Sequence, residues 1–219
     1  MNEAQDQNLI YRSQSYQQLK PKMKIATTAQ EKNKIYRLRY NISIVELNEP
    51  LISVSHDQKL IKDEQDLTAT HIGAFMNDEA VGACRLNFVD NNYLDEMNIY
   101  DLDRFDHTNS NDIVIASKLF IEKKFRGTGL FSVLLNHMYA LAVMQESKVA
   151  LICVSNAWCS VFSKFGFIEY KGTALHPELG QVVPMYLDLQ NEKFMNDINS
   201  PFYKLFKAFR YSSENIFLN

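Results

Sequence analysis

Residues 112–138 read DIVIASKLFIEKKFRGTGLFSVLLNHM, and this stretch decides the fold. Its first part, Ile113 to Ile121, is an apolar, β-branched run of strand type. The run stops at a charged turn, Glu122 to Arg126, passes through Gly127-Thr128-Gly129 and enters a long apolar helix from Leu130 to Gln145. Glycine reaches positive φ without strain and puts no side chain above a turn. Successive N–H groups can then converge on an anion at the positive end of a helix dipole. Lys123, Lys124 and Arg126 add mobile positive charge around the same point. The pattern suits a seat for a phosphate or pyrophosphate; a tight strand-to-helix turn ringed by solvated charge would carry the same letters.

Spacing separates the known phosphate turns. No Lys-Ser/Thr pair follows a second glycine, as a P-loop requires, and the third glycine of a Rossmann turn falls on Ser132. Lys124-Phe125-Arg126-Gly127-Thr128-Gly129 instead resembles the Gln/Arg-x-x-Gly-x-Gly/Ala turn of the GNAT acyltransferase superfamily, with Lys124 in place of the usual Gln or Arg. The resemblance implies an α/β (α+β) fold: a mixed, mostly antiparallel twisted sheet with helices on both faces. It also implies a pantetheine-bearing acyl donor whose phosphate is gripped by this turn.

Outward from the turn, composition sets the frame. The chain has 219 residues, 46% of them apolar, and a net charge of −3. That is enough for one well-buried domain and carries no sign of a nucleic-acid partner. None of the five prolines falls between Leu51 and His176, so the middle should be nearly continuous secondary structure. Cys84, Cys153 and Cys159 sit in apolar surroundings without metal-ligand spacing; no metal is expected, and the thiols read as reduced core residues of a cytoplasmic protein. The N-terminus has no apolar signal region, and no apolar run approaches the ~18 residues that would span a bilayer.

Residues 1–20 are Gln-, Ser- and Asn-rich and should form a flexible tail, leaving 21–190 as the domain and 191–219 as a helical extension packed on it. Met23 to Thr27 is a strand candidate. Thr28-Ala-Gln-Glu31 is a capping box opening a helix with Ile35, Leu38, Ile42 and Val45 as its apolar stripe, Arg37 and Arg39 pointing away. Ser53 to Asp66 is a polar connection, flexible or helical. Ala69 to Met76 and Ala80 to Phe88 form a hairpin about Asn77-Asp78, with Arg85 mid-strand, where a charge must be paired or line a cavity. Asp90 to Asn111 is a long excursion with one helical turn near Met97 to Leu102. After the long helix come an apolar strand, Val149 to Val154, a short helix, Ala157 to Lys164, and a last strand, Val182 to Leu189. A final helix from Ser200-Pro201 carries Phe202, Leu205, Phe206 and Phe209 on one face; packing on the domain and peripheral membrane contact both suit it.

Upstream motifs narrow the resemblance. Ile35-Tyr36-Arg37-Leu38-Arg39-Tyr40, an acidic segment ending in Asp66, and Val81-Gly82-Ala83-Cys84-Arg85-Leu86 resemble the N-terminal half of the acyl-homoserine lactone autoinducer synthases and of the long-chain N-acyl amino acid synthases. Both branches join an acyl chain from acyl carrier protein to an amine. By motif position, Arg39, Glu64 or Asp66, and Arg85 would form a charged cluster on the amine side of the cleft. Two departures stand out. Those relatives place a Glu two residues before Ser-Arg/Lys on the central strand, where this chain has Ile115 before Ser117-Lys118. Many GNAT acetyltransferases place a Tyr acid four residues before the closing Gly, where this chain has Phe162.

The resemblance implies an N-acyltransferase moving a long acyl group from a phosphopantetheine thioester to the amine of an amino acid or similar small molecule, with no permanently bound cofactor. An acetyl-CoA-dependent N-acetyltransferase and a non-catalytic acyl-phosphopantetheine binding module remain alternatives. The phosphate would rest on the amides of Gly127, Thr128, Gly129 and Leu130, beside Lys124 and Arg126. The pantetheine arm would add like a strand along Leu119, Phe120 and Ile121, and an N–H near Phe120 would face the thioester oxygen. Glu64 and Asp66 are candidate bases for the amine. Arg39 and Arg85 suit an acceptor carboxylate or, equally, internal ion pairs with those acids. Trp158 and Phe162 would line the acyl slot or belong to the core. Lys118, Lys123, Lys124 and Arg126 offer a docking surface for an acidic carrier protein or for coenzyme A phosphates.

Overall fold

The computed structural model describes residues 20–49, 51, 54–89, 97–105 and 112–208, so the calls on the N-terminal tail and on Phe209 lie outside the described residues. In chain order the elements are β1 (Lys22–Ile25), α1 (Ala29–Tyr40), β2 (Val54–Ser55), β3 (Leu60–Ile61), β4 (Thr70–Met76), β5 (Glu79–Phe88) and α2 (Met97–Tyr100). There follow β6 (Ile113–Ile121), α3 (Leu130–Met144), β7 (Val149–Val154), α4 (Asn156–Ser163), β8 (Ile168–Glu169), β9 (Ala174–His176), β10 (Gly180–Asp188) and α5 (Glu192–Asp197). The main sheet runs β1-β4-β5-β6-β7-β10-β8, with β9 added to β10. Every pairing in it is antiparallel except β6 with β7.

The capping box at Thr28 forms as the letters dictate. Thr28 Oγ1 accepts from the Glu31 N–H, and the Glu31 carboxylate accepts from the N–H groups of Thr27 and Thr28. With Lys24 adding a 2.6 Å ion pair, these bonds pull the Glu31 carboxyl down to about 2. α1 does not stop at Tyr40 but continues as a π-helical turn, Asn41–Glu46. The widened turn shifts the phase of the stripe, and Val45, read as apolar core, is 70% exposed. Arg39 shifts the other way. It lies four residues after Ile35 and three before Ile42, on the stripe itself, and is 0% exposed rather than pointing away. The connection 53–66 resolves into the small hairpin β2–β3 and a 3-10 turn, Glu64–Leu67.

Alternation along the strands assigns the two faces. Cys84, Leu86 and Val114 pack with Leu134, Leu135 and Met138 of α3 and with Phe162 of α4. On the opposite face, Phe75, Ala80 and Ala83 pack with Ile35, Leu38 and Ile42 of α1. Farther along that face, Ile113, Ile115, Leu151 and Val182 are covered by Ile99, Tyr100 and Leu102. After α5, a helical turn at 203–208 follows Ser200, whose hydroxyl donates to the Phe165 carbonyl at 2.7 Å. Phe202 is fully buried, its ring stacked on Tyr139 with centroids 4.6 Å apart. Among the described residues no helix is long and apolar enough to cross a membrane.

Candidate functional site

β6 positions the site because it changes partners halfway. It pairs with β7 only through Ile113↔Val149, Val114↔Ala150 and Ile115↔Leu151. Both strands then run on, β6 to Ile121 and β7 to Val154, so the sheet splays into a wedge. The edge of β6 that faces the wedge includes Leu119, Phe120 and Ile121; among the described residues no strand pairs with it there, and such a main-chain edge is what an extended arm can pair with.

On its other side β6 carries a β-bulge. Ala83 pairs with Phe120 and Arg85 with Ser117, so two steps along β5 match three along β6. The extra residue falls at Lys118, which takes a left-handed φ of 51°. The bulge turns consecutive side chains to the same face: Ser117 Oγ accepts from Arg85 Nε at 3.0 Å, and Lys118 Nζ reaches Asp63 at 3.5 Å and Glu178 at 2.8 Å. Phe120, named from sequence as the donor of the polarising N–H, lies just past the bulge and in register with Ala83.

Down β6 the chain turns through Lys123–Phe125 into α3. Gly127 and Gly129 have φ of 77° and 86°, and a Cβ built on either would meet nothing within 4 Å. Thr128 is held from within, its hydroxyl donating to the Phe125 carbonyl at 2.7 Å. Leu130 opens α3, whose first amides have no intrahelical acceptor. Arg126 is not a loose cation. Its guanidinium grips the Glu46 carboxylate through both oxygens, at 2.6 and 2.9 Å, and Nε donates to the Ile121 carbonyl. Lys124 pairs with Glu122 at 2.9 Å. Beside them a groove of about 440 Å³ is lined by Lys34, Arg37, Asn41, Glu46, Lys123 and Lys124 among others.

Beneath the bulge lies a buried charge network. Arg39 Nη1 donates to both Asp66 oxygens at 2.9 and 2.8 Å, His71 Nε2 meets Asp66 at 2.9 Å, and Arg85 Nη1 meets Asp66 at 3.3 Å. Arg85 also binds Asp63 and Gln65. Burial opposes charge on Asp66, but the His71 bond and the Arg39 and Arg85 guanidinia outweigh it and hold the carboxyl far below the usual carboxylate range. Arg39 and Arg85, both almost fully buried, are thus in internal ion pairs, one of the two arrangements open to them from sequence. Glu64 is exposed, and the acid that joins Arg85 and Asp66 is its neighbour Asp63, N-cap of the 3-10 turn. His71, Asp63, Gln65 and Glu178 were not singled out by sequence reading. The i, i+3 spacing of Asp63 and Asp66 was the available signal.

Trp158 and Phe162 do come together, but differently exposed. Phe162 is buried among Phe131, Phe165 and Phe167, whereas Trp158, 49% exposed, stacks on Phe131 at 5.9 Å. Ile115 is fully buried at the last β6–β7 pair. The Tyr170 hydroxyl is bonded to the Tyr100 carbonyl, and burial raises its pKa. Burial pushes the Cys84 thiol up to about 12, which leaves it unreactive.

The family profile of the N-acyl amino acid synthase FeeM matches residues 34–188. Compared by sequence with curated proteins, the chain finds no match. Among solved structures, the chain is similar to FeeM, an N-acyl amino acid synthase from uncultured soil microbes, with a TM-score of 0.64 and 10% identity over 84% of this chain and 98% of that one. It is also similar to BjaI, a CoA-dependent acyl-homoserine lactone synthase solved with SAM and isopentyl-CoA: TM-score 0.60, 17% identity, 77% of this chain and 82% of that one. Escherichia coli ElaA gives a TM-score of 0.53 at 16% identity over 77% of this chain and 99% of that one.

Proposed function

Because the chain belongs to the FeeM family of N-acyl amino acid synthases and is a GNAT-like acyltransferase, we propose that it moves a long acyl group from acyl carrier protein to the amine of an amino acid. The observation that carries this reading is the wedge beside the β6 bulge, with the open Gly127–Leu130 turn at its far end. An extended phosphopantetheine arm fits that line: phosphate on the amides of Gly127 to Leu130, arm along Leu119 to Ile121, thioester at the bulge.

The amine nitrogen attacks the thioester carbon, and the oxygen gains charge opposite a backbone N–H of the bulge. The amine has an unperturbed pKa near ~8 and must shed a proton. Asp66 has its lone pairs committed to Arg39, His71, Arg85 and the Asp63 N–H, so its role is to anchor. Glu64, exposed on the same turn, is left to take the proton through water. The tetrahedral adduct then collapses, the C–S bond breaks, and the thiolate leaves with a proton from the former amine, since Phe162 offers none. Trp158 borders the acyl path, and Arg37, Lys123 and Lys124 give an acidic carrier a surface to dock on. Three cysteines outside any disulfide fit a reducing, cytoplasmic setting.

The purified protein should release thiol from long-chain acyl carrier protein when amino acids are pooled with it. Turnover of acetyl-CoA alone would move the reading to a coenzyme A-dependent N-acetyltransferase. Binding without thiol release would make the chain an acyl-phosphopantetheine binding module, a reading that buried Phe162 and Ile115 favour.

A further inference from the structure

The β9–β10 hairpin stands where β7 runs out. β10 pairs with β7 from Val183↔Val154 onward, so Gly180 to Val182, paired with β9, project past the C-terminal end of β7. Continuing the Ile115↔Leu151 register by three residues brings Lys118 level with that same end. Across the space that β7 has vacated, the Glu178 carboxylate meets Lys118 Nζ at 2.8 Å, with both side chains mostly buried. Glu178 is not a loose tip. The His176 Nδ1 accepts from the N–H groups of Glu178 and Leu179 at 3.1 and 3.2 Å, which fixes the turn that presents it. Ion pairs therefore run unbroken from α1 to the hairpin: Arg39, Asp66, Arg85, Asp63, Lys118, Glu178.

We infer that this hairpin is the outer wall of the donor wedge and that Lys118 and Glu178 clasp it to the bulge, which makes them positioning residues for acyl transfer. The inference rests on the acyltransferase reading above. Lys118 is the bulge residue itself, held at positive φ, an arrangement that persists only when its surroundings enforce it. Its ammonium is fastened on one side to the deep network and on the other to the hairpin. The clasp thus sets the bulge amide against the thioester and closes the wedge. A clasp of this kind acts on the transition state more than on donor binding, because the phosphate turn lies at the other end of β6.

The test is a double-mutant cycle of Lys118→Met and Glu178→Gln, with Lys118→Arg as the conservative variant, read by steady-state kinetics and by backbone amide exchange in the full chain. Each single variant should lower kcat about five- to tenfold with the donor KM within about twofold of wild type. The double should be no worse than the poorer single, because the pair that Glu178→Gln breaks is already lost in Lys118→Met. Lys118→Arg should keep most of the rate. Exchange should quicken at 174–182 and 117–121 together in both single variants, and His176→Ala should reproduce that pattern. Losses that multiply, or exchange unchanged from wild type in Glu178→Gln, would overturn the clasp. A wild-type protein that releases no thiol from any donor refutes the proposed function instead, and the exchange comparison, which needs no substrate, still decides the clasp.

Discussion

The two flanks of β6 are built from opposite materials. Toward β5 and α1 the site is side chains: Arg39, His71 and Arg85 converge on Asp66 in a buried network. Toward α3 it is main chain: two glycines at positive φ, helix amides and open space. The first kind of construction tolerates almost no change, since a buried charge that loses its partner keeps its desolvation cost. The second tolerates most side-chain changes around it and fails when a side chain at Gly127 or Gly129 strains the positive φ or fills the space. The charged network is therefore fixed by folding, and the glycine turn by what is left out.

The contrast can be broken most sharply at Asp66. Asp66→Asn leaves Arg39 and Arg85 facing a neutral amide and should cost about 3–5 kcal/mol of stability, read by chemical denaturation. Gly129→Val should leave the fold largely intact while weakening the binding of coenzyme A or phosphopantetheine at least about tenfold, or about 1.4 kcal/mol, by calorimetry. Unchanged affinity in the folded variant would remove the phosphate seat. Acid should separate the flanks as well. Because the folded pKa of Asp66 is depressed, its stabilisation is complete above its unfolded value of about 4 and is lost as pH falls through the folded value. Wild type should lose Tm below about pH 4 more steeply than Asp66→Asn; parallel curves would deny the network its weight. The smallest effect is expected at Thr28→Ala, about 1 kcal/mol from the lost cap, with donor affinity unchanged.

The strand–turn–helix at the centre was legible because its signals are local: β-branched run, two glycines, apolar helix. So were the Thr28 cap and the hairpin about Asn77-Asp78. What escaped depends on pairing. The bulge at Lys118 is a mismatch between two strands, written in neither alone, although the polar Ser117-Lys118 break in an apolar run was a hint. β9 contains Leu and His and is followed by Pro177, so its strand character comes from β10 rather than from propensity. Arg39 lies on the buried stripe because helical position outweighs charge, and Asp63 escapes sequence reading, which offers Glu64 or Asp66, because a cap residue looks like loop until the turn behind it is seen. The strand-to-helix turn showed itself as glycine; the charged network needed three distant segments brought together.

Phe202 is stacked on Tyr139 and tied down through Ser200, so the last described stretch plugs the back of α3. Anyone shortening the protein for expression should leave Ser200 and Phe202 in place. An end placed at Asn199 would uncork an aromatic hole behind the very helix whose front end carries the glycine turn.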